Sequence, residues 1–246
     1  MMAGSEIRPI TTALFGKVGE PERVALSARW RAVGLRFGLV NRLVDGTIGA
    51  FDQRRAMEEM NQSDLGYRLK RLEDREELRD LAARYCTLVD DRDLDQLMLL
   101  FSTDGTFGGA GGVAARGRDD IRAYYTERLA RYGPTFHYPH SQVVEFVGDD
   151  EARGLVTAHA EHGIDQRLVI AGLRYYDDYV REAGAWRFRQ RLIHFQYFMD
   201  VASMQDQYSA AHRKLVAEPA PADFPEPLAT WQIFQAEVAA GELSQE

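Results

Sequence analysis

Two histidines lie three residues apart in the segment PTFHYPHSQVVEF, residues 134–146. His137 and His140 are candidates for a metal pair, for a catalytic base with a neighbour, or for polar positions at a strand's edge. Side chains alternate between the faces of a strand, so residues an odd number apart point to opposite sides. Pro139 can distort the strand locally. With opposite faces and no third ligand at a useful spacing, we expect no metal site here.

The segment ARGLVTAHAEHGI, residues 152–164, carries further histidines. By the same alternation His159 and Glu161 share one face of a strand, while His162 lies on the other with small alanines. A plain apolar core does not tolerate a polar row of this kind. This strand is therefore a candidate wall of a site.

Composition narrows the classes of function. The chain has 246 residues, 45% of them hydrophobic, a single cysteine and a net charge of -8. One cysteine excludes an internal disulfide, and no CxxC or Cys/His cluster indicates structural zinc. We expect a cytoplasmic protein whose partner is a small hydrophobic molecule, with no nucleic acid bound and no stable membrane insertion.

The elements that must position these residues begin with helices. Residues 68–90 carry apolar side chains at helical spacing, with Tyr85 on the dry face and Asp90 at the end. Asp93 is a predicted N-cap for a short second helix over 94–102, and residues 118–132 predict a third. The glycine-rich stretch 103–117 lacks a phosphate-binding motif, so a flexible loop is expected there.

After Gly133 the hydrophobic period changes to two. Four segments rich in Val, Ile, Tyr and Phe follow, separated by hairpin-length turns, at 141–147, 152–164, 167–182 and 185–198. Helices followed by strands predict an α+β fold whose antiparallel sheet buries one face against the helices. On the last strand Ile193, Phe195 and Tyr197 alternate along one side, a candidate subunit interface on the outer sheet face.

Both ends of the chain differ from this domain. Residues 1–60 carry nine Lys and Arg against seven Asp and Glu, with a basic amphipathic stripe. They fit a helix that packs on the domain or a partner subunit, a membrane-surface or targeting helix, or a stretch upstream of a true start at Met57 or Met60. Residues 201–246 form a proline-containing arm that lies across the sheet or reaches a partner.

Three segments together resemble a known family. They are ARYCTLVDDRDLDQLMLLFSTDGTF, TFHYPHSQVVEF and LRYYDDYVREAGAWRFRQR. The stretch from Leu65 to Asp200 is similar to the SnoaL-like branch of the nuclear transport factor 2-like superfamily. That resemblance implies a cone-shaped α+β barrel, with three helices packed in a strongly curved, mostly antiparallel sheet around one apolar pocket. Oligomers are common in this superfamily, so a homo-oligomer, dimer or trimer, is expected.

The resemblance also implies a site. The superfamily includes scytalone dehydratase, bile acid 7α-dehydratase and hexachlorocyclohexane dehydrochlorinase, in which an aspartate and a histidine form a dyad. The dehydratases add a tyrosine from the first helix. These three catalytic positions fall on Asp90, His137 and Tyr85. An acidic or histidine position on the next strand falls on His159 or Glu161, and no confident counterpart exists for an arginine near the last strand.

The implied function is a cofactor-independent lyase or isomerase acting on a small hydrophobic cyclic substrate. His137 would be the base, Asp90 its partner and Tyr85 a donor to a developing enolate or departing hydroxyl. Four further residues are predicted to bind substrate: His140, Gln142, His159 and Glu161. Two alternatives stay open: a noncatalytic binding or assembly module resembling the small subunit of ring-hydroxylating dioxygenases, and a polyketide cyclase. The fold hosts many functions, so the geometry of the site must separate them.

Overall fold

The computed structural model describes residues 49–215 and 219–240. The chain divides into two compact units, 1–67 and 68–246. Of the first unit only the helical residues from Gly49 onward are described, so the expectation for 1–60 falls largely outside the described residues. The second unit contains the whole candidate site.

Helix α1 spans Gly49–Asp90. Within the second unit it buries one face, as its apolar spacing predicts: Leu78, Leu81, Ala82, Tyr85, Cys86 and Val89. The helix ends at Asp90, which is followed by a turn whose Arg92 has a φ of 62°. The carboxylate at the helix end thus projects toward the sheet rather than along the helix.

Two shorter helices follow. Helix α2, Leu94–Leu99, begins after Asp93, whose side chain accepts a hydrogen bond from the Gln96 backbone N–H and confirms the predicted cap. It ends earlier than expected because the chain enters a strand at Phe101. Helix α3, Arg118–Leu129, buries Ile121, Tyr125 and Leu129 on one face.

The sheet has six strands in the order β2-β1-β6-β5-β4-β3. The strands are β1, Phe101–Gly109; β2, Gly112–Arg116; β3, Thr135–Phe146; β4, Glu151–Ile164; β5, Arg167–Glu182; and β6, Ala185–Asp200. All neighbours are antiparallel except β1 and β6, which are parallel. The predicted α+β class is confirmed: a mixed fold with a curved, mostly antiparallel sheet that packs its inner face on the helices.

The glycine-rich stretch is not a flexible loop, contrary to the sequence expectation. It forms β1, the hairpin turn and β2, and β1 pairs with β6. Its glycines permit close approach of the two strands: a Cβ on Gly108 would lie 2.1 Å from the Gly112 carbonyl oxygen, and Gly112 has a φ of 107°. Buried Phe101 and Phe107 attach the hairpin to the core.

Irregularities in strand pairing decide which side chains face inward. In β6 the register shifts opposite Gly172 and Leu173, which pair with Tyr197 and Phe195. This bulge separates residues predicted to share a face. Ile193 and Phe195 line an internal cavity, whereas Tyr197 covers Gly172 on the outer face. The proposed alternation of these aromatic residues along an outer interface is therefore wrong.

The described part of the C-terminal arm packs on the sheet. Asp223 accepts a hydrogen bond from the Phe195 backbone N–H at 2.7 Å and pairs with Lys214 Nζ at 2.6 Å. The Phe224 ring lies under the Arg174 guanidinium, 4.3 Å from its Cζ. Helix α4, Met204–Gln207, and helix α5, Ala229–Ala240, bury no residues. The expected homo-oligomer, a dimer or trimer, remains a prediction.

Of the helices described, none combines the length and the apolar character needed to cross a membrane.

Candidate active site

The candidate site begins where α1 ends and β3 starts. The Oδ1 atom of Asp90 lies 2.6 Å from His137 Nδ1, and Oδ2 accepts a hydrogen bond from the His137 backbone N–H at 2.8 Å. Both side chains are largely buried, with exposures of 14% for Asp90 and 10% for His137. The Asp90 carboxylate thus holds both the backbone of β3 and the His137 ring in place. Its position at Nδ1 leaves Nε2 as the nitrogen available for proton transfer.

Thr135 and Arg92 hold the carboxylate in turn. The Thr135 hydroxyl donates to Asp90 Oδ1 at 2.9 Å and accepts from Arg92 Nη1 at 2.7 Å. Arg92 Nη2 also donates to the Gly133 carbonyl oxygen at 2.7 Å. Neither residue was predicted for the site, although Thr135 lies two positions before His137 and therefore on the same strand face.

Electrostatics keep Asp90 ionised. Burial opposes the charge, but the hydrogen bonds and charge of His137, with the Thr135 hydroxyl, outweigh it and lower the pKa of Asp90 below its usual value. An ionised carboxylate at Nδ1 favours the imidazolium that forms when Nε2 takes up a proton. This is the arrangement that a general base requires.

Tyr85 lies deeper, on the α1 face. Its hydroxyl is 2.5 Å from the Tyr125 hydroxyl of α3, and burial raises the pKa of Tyr85 to about 12. Burial likewise raises the pKa of Tyr125 well above its usual value. Both phenols therefore stay protonated near neutral pH and supply hydrogen-bond donors. Tyr125 was not among the residues predicted for the site.

Behind Tyr85 lies an arginine on the last strand. Arg191 forms two hydrogen bonds of 2.9 Å with Asp177, and both side chains have zero exposure. The Arg191 Cζ lies 4.1 Å from the Tyr85 ring centroid and 4.0 Å from that of Phe188. The sequence offered no confident counterpart for an arginine near the last strand, whereas the structure places Arg191 behind the site.

His162 is the second histidine of the site, and its role was missed. Its ring lies edge-on to His137 at 5.4 Å between centroids. Burial, with the charges of His137 and Arg128, lowers the pKa of His162 to about 3, so the ring is neutral at physiological pH. Its Nδ1 is buried and has no hydrogen-bond partner among the described residues. Strand alternation assigned the correct face, but no local signal distinguished His162 from His159 as a site residue.

These residues surround an enclosed cavity of about 40 Å³. Its wall consists of Tyr85, Val89, Phe107, Tyr125, Arg128, Leu129, Tyr132, His137, His162, Leu173, Tyr175, Ile193 and Phe195. That volume holds a few water molecules. A ring-sized molecule would therefore reach His137 only if side chains at the cavity's edge moved.

The predicted substrate-binding residues do not join this cavity. His140 Nε2 bonds to His159 Nδ1 at 2.7 Å, and both line a shallow groove of about 490 Å³ on the outer sheet face. Glu161 lies on that same face by strand alternation, paired in register with Phe136. These three residues therefore lie on the face opposite His137, and the register shift between Pro139 and Gln142 returns the next part of β3 to the inner face.

Gln142 faces inward but serves another contact. Its Nε2 donates to the Leu78 carbonyl oxygen at 3.2 Å and to the Tyr179 hydroxyl at 3.1 Å. Tyr179 in turn donates to Asp177. Gln142 therefore ties β3 to α1 and to the buried Arg191–Asp177 pair, and it does not line the cavity as predicted for a substrate-binding residue.

In the part of the chain that the structure describes, no group of three or more His, Cys, Asp or Glu side chains is arranged to hold a metal ion.

With this geometry established, comparison with known proteins assigns the family. A model of the SnoaL-like domain matches residues 70–192, half of the chain. The chain belongs to the SnoaL-like family. The matched stretch includes Asp90, His137, His162 and Arg191, and of the cavity wall only Ile193 and Phe195 lie just beyond it. No curated protein matches the sequence.

Solved structures support the fold. A candidate scytalone dehydratase from Novosphingobium aromaticivorans DSM 12444 is 22% identical with a TM-score of 0.50, covering 53% of this chain and 89% of that one. The hexachlorocyclohexane dehydrochlorinase LinA-type3 from Novosphingobium barchaimii LL02 is 22% identical with a TM-score of 0.52, covering 55% and 94%. Both structures thus share their fold with somewhat more than half of this chain.

Proposed function

We propose that this SnoaL-like protein is a cofactor-independent lyase or isomerase that acts on a small hydrophobic cyclic substrate. One observation carries the proposal: the Asp90 carboxylate lies 2.6 Å from His137 Nδ1, and His137 lines an enclosed, mostly apolar cavity. A module that only binds a ligand needs no oriented imidazole of this kind. Elimination is the first reaction class to test, since solved structures of this fold include a dehydrochlorinase and a candidate scytalone dehydratase.

The chemistry begins with the base. His137 Nε2 removes a proton from a carbon next to a carbonyl or a leaving group, and the resulting imidazolium is stabilised by Asp90. The electron pair of that C–H bond forms a double bond. In isomerisation the proton returns to a different carbon, and in elimination a hydroxyl departs as water after accepting a proton.

The two phenols assist at the substrate oxygen that develops charge or departs. Tyr85 and Tyr125 share one hydrogen bond, so one hydroxyl hydrogen of the pair is left to donate to a developing enolate oxygen or a departing hydroxyl. The buried cation of Arg191 packs on the Tyr85 ring and fixes its position. His162, held neutral, offers an uncharged acceptor beside the base without competing for the proton.

We also propose that the reaction takes place in the cytoplasm. The single cysteine, Cys86, is a buried free thiol, which suits a reducing compartment.

The test is a screen of steroids and cyclic hydroxy-ketones for loss of water or migration of a double bond, followed by Asp90→Asn. We expect the variant to lose at least about a hundredfold in turnover while keeping its circular dichroism spectrum. An active wild-type protein whose Asp90→Asn variant turns over at the same rate would exclude the dyad.

A further inference from the structure

The enclosed cavity adjoins an open cleft of about 810 Å³. Two side chains border both spaces, Arg128 and Tyr132. The cleft is completed by Ile164, Asp165 and Phe198 from the sheet side and by Lys214 and Ala220 from the arm. Arg128 and Tyr132 therefore form the partition between solvent and the cavity that contains His137.

A short series of contacts connects this partition with the candidate base. The His137 and His162 rings lie 5.4 Å apart, and the His162 and Tyr132 rings 5.2 Å apart. The Arg128 Cζ lies 5.9 Å from the Tyr132 ring centroid. A ligand of two or three rings that reaches His137 thus has its far end beside Arg128.

Other charged groups at the cleft have opposite charges beside them. Arg131 forms an ion pair with Glu127 one helical turn away. Lys214 Nζ lies 2.6 Å from Asp223, and Asp165 lies 3.9 Å from Arg167. These pairs leave no strong net field of their own at the cleft.

Arg128 differs from them. Within residues 49–215 and 219–240 no carboxylate pairs with it, and its Nη1 donates to the Tyr124 hydroxyl at 3.1 Å. Burial alone would lower the pKa of Arg128, but Tyr132 and Tyr124 raise it above its usual value, so the guanidinium stays charged. The Tyr124 oxygen accepts that bond, and its own hydrogen remains available to donate.

We propose that Arg128 and Tyr124 bind the carboxylate of a hydrophobic substrate whose reacting end lies at His137. A guanidinium that no carboxylate pairs with in the described part of the chain, with adjacent N–H and O–H donors, matches a singly charged, planar, two-oxygen anion. The proposal rests on the proposed function and narrows its substrate class from hydrophobic cyclic compounds to hydrophobic cyclic carboxylic acids. Burying the anion beside Arg128 also neutralises a half-buried charge that lacks a partner.

The experiment compares two ligands of nearly equal shape, 2-naphthoate and 2-naphthamide, by isothermal titration calorimetry on the full chain at pH 7.5. We expect the wild-type protein to prefer naphthoate by on the order of tenfold. Arg128→Met should abolish the preference and Arg128→Lys restore part of it. Arg131→Met, a matched loss of charge from the ion-paired arginine at the same cleft, should leave the preference intact.

Failure of this proposal is distinct from failure of the proposed function. His137→Gln should lose turnover yet keep the naphthoate preference, because the base is not part of the anion site. Absent or equal binding of the two ligands by folded wild-type protein, or a preference that survives Arg128→Met, would overturn the anion site even if turnover is found. If the wild-type protein prefers naphthoate but turns over no compound in the screen, the anion site would stand and the proposed lyase activity would be rejected.

Discussion

Two histidine pairs lie across the same two strands, β3 and β4, on opposite faces of the sheet. On the outer face His140 and His159 hydrogen-bond to each other and line a shallow groove. On the inner face His137 is bonded to Asp90, and His162 has a buried Nδ1 without a partner among the described residues. The residue types are the same and the strands are the same. What differs is helix α1, which lies behind the inner face only and supplies both the carboxylate and the exclusion of water.

The strongest test of this comparison substitutes one histidine from each face. His137→Gln should lower kcat/KM on the substrate found by screening by on the order of 10²–10⁴, because the proton acceptor is removed. His140→Gln should leave kcat/KM within experimental error, because its partner is the outer-face His159. Equal losses in the two variants would mean that the faces do not differ in chemistry.

Two adjacent aspartates on β5 allow the buried inner face and the exposed outer face to be compared by their effect on stability. Asp177→Asn should cost about 3–5 kcal/mol in the free energy of unfolding, because it leaves the buried Arg191 cation uncompensated. Asp178→Asn should change it by less than about 1 kcal/mol, since its 3.7 Å pair with Arg153 is partly exposed. Urea denaturation measures both. A small loss for Asp177→Asn would show that solvent reaches Arg191.

Acid sensitivity provides a third test. The pKa of His162 is about 3 in the folded protein against an ordinary 6.5, so between these values the unfolded chain binds a proton that the folded one excludes. Stability is therefore lost as pH falls, by about 3 kcal/mol between pH 6.5 and pH 4 from this group. His162→Phe should flatten that slope in urea titrations at each pH. His159→Phe, at a partly exposed ring, should flatten it far less, and an equal effect would contradict the burial difference.

The smallest expected effects concern two glycines. A Cβ on Gly154 would lie 2.6 Å from the ring of Tyr179, which has zero exposure and cannot move, so Gly154→Ala should cost about 1–3 kcal/mol. A Cβ on Gly172 would lie 2.5 Å from the ring of Tyr197, which can shift toward solvent on the outer face. Gly172→Ala should therefore cost less than about 1 kcal/mol. Thermal unfolding measures the loss of stability in each variant. A larger loss for Gly172→Ala than for Gly154→Ala would mean that the outer face of the sheet is the more rigid one.

Local signals in the chain predicted much of the fold. The apolar face of α1, the Asp93 cap and the positions of the three strands from residue 152 onward are confirmed, because each depends on neighbours within a few residues. The hairpin β1–β2 was missed because glycine composition indicates mobility, whereas pairing with the distant β6 gives these residues their structure. Strand pairing across some 85 residues leaves no local trace.

The residues of the candidate site likewise include some that local signals predict and some that they do not. Alternation along β3 already separates His137 from His140, and the family resemblance links His137 with Asp90 and Tyr85. Thr135 could have been found from its position two residues before His137. Arg191 and Tyr125 could not, since a buried arginine beside a tyrosine on another element depends on how the sheet curves around the helices.

The sequence by itself determined the three helices, the last four strands, the α+β class and the alternation of faces along uninterrupted stretches of strand, because helix and strand periods are properties of the local backbone. The tertiary structure alone decided which face is enclosed, where the bulge in β6 moves Tyr197 outward, and which of four histidines has a carboxylate behind it. Among the described residues, it also left Arg128 without a carboxylate at the cavity's edge. Burial and pairing arise from contacts between distant segments, and those contacts turn a polar residue on a strand into a candidate base.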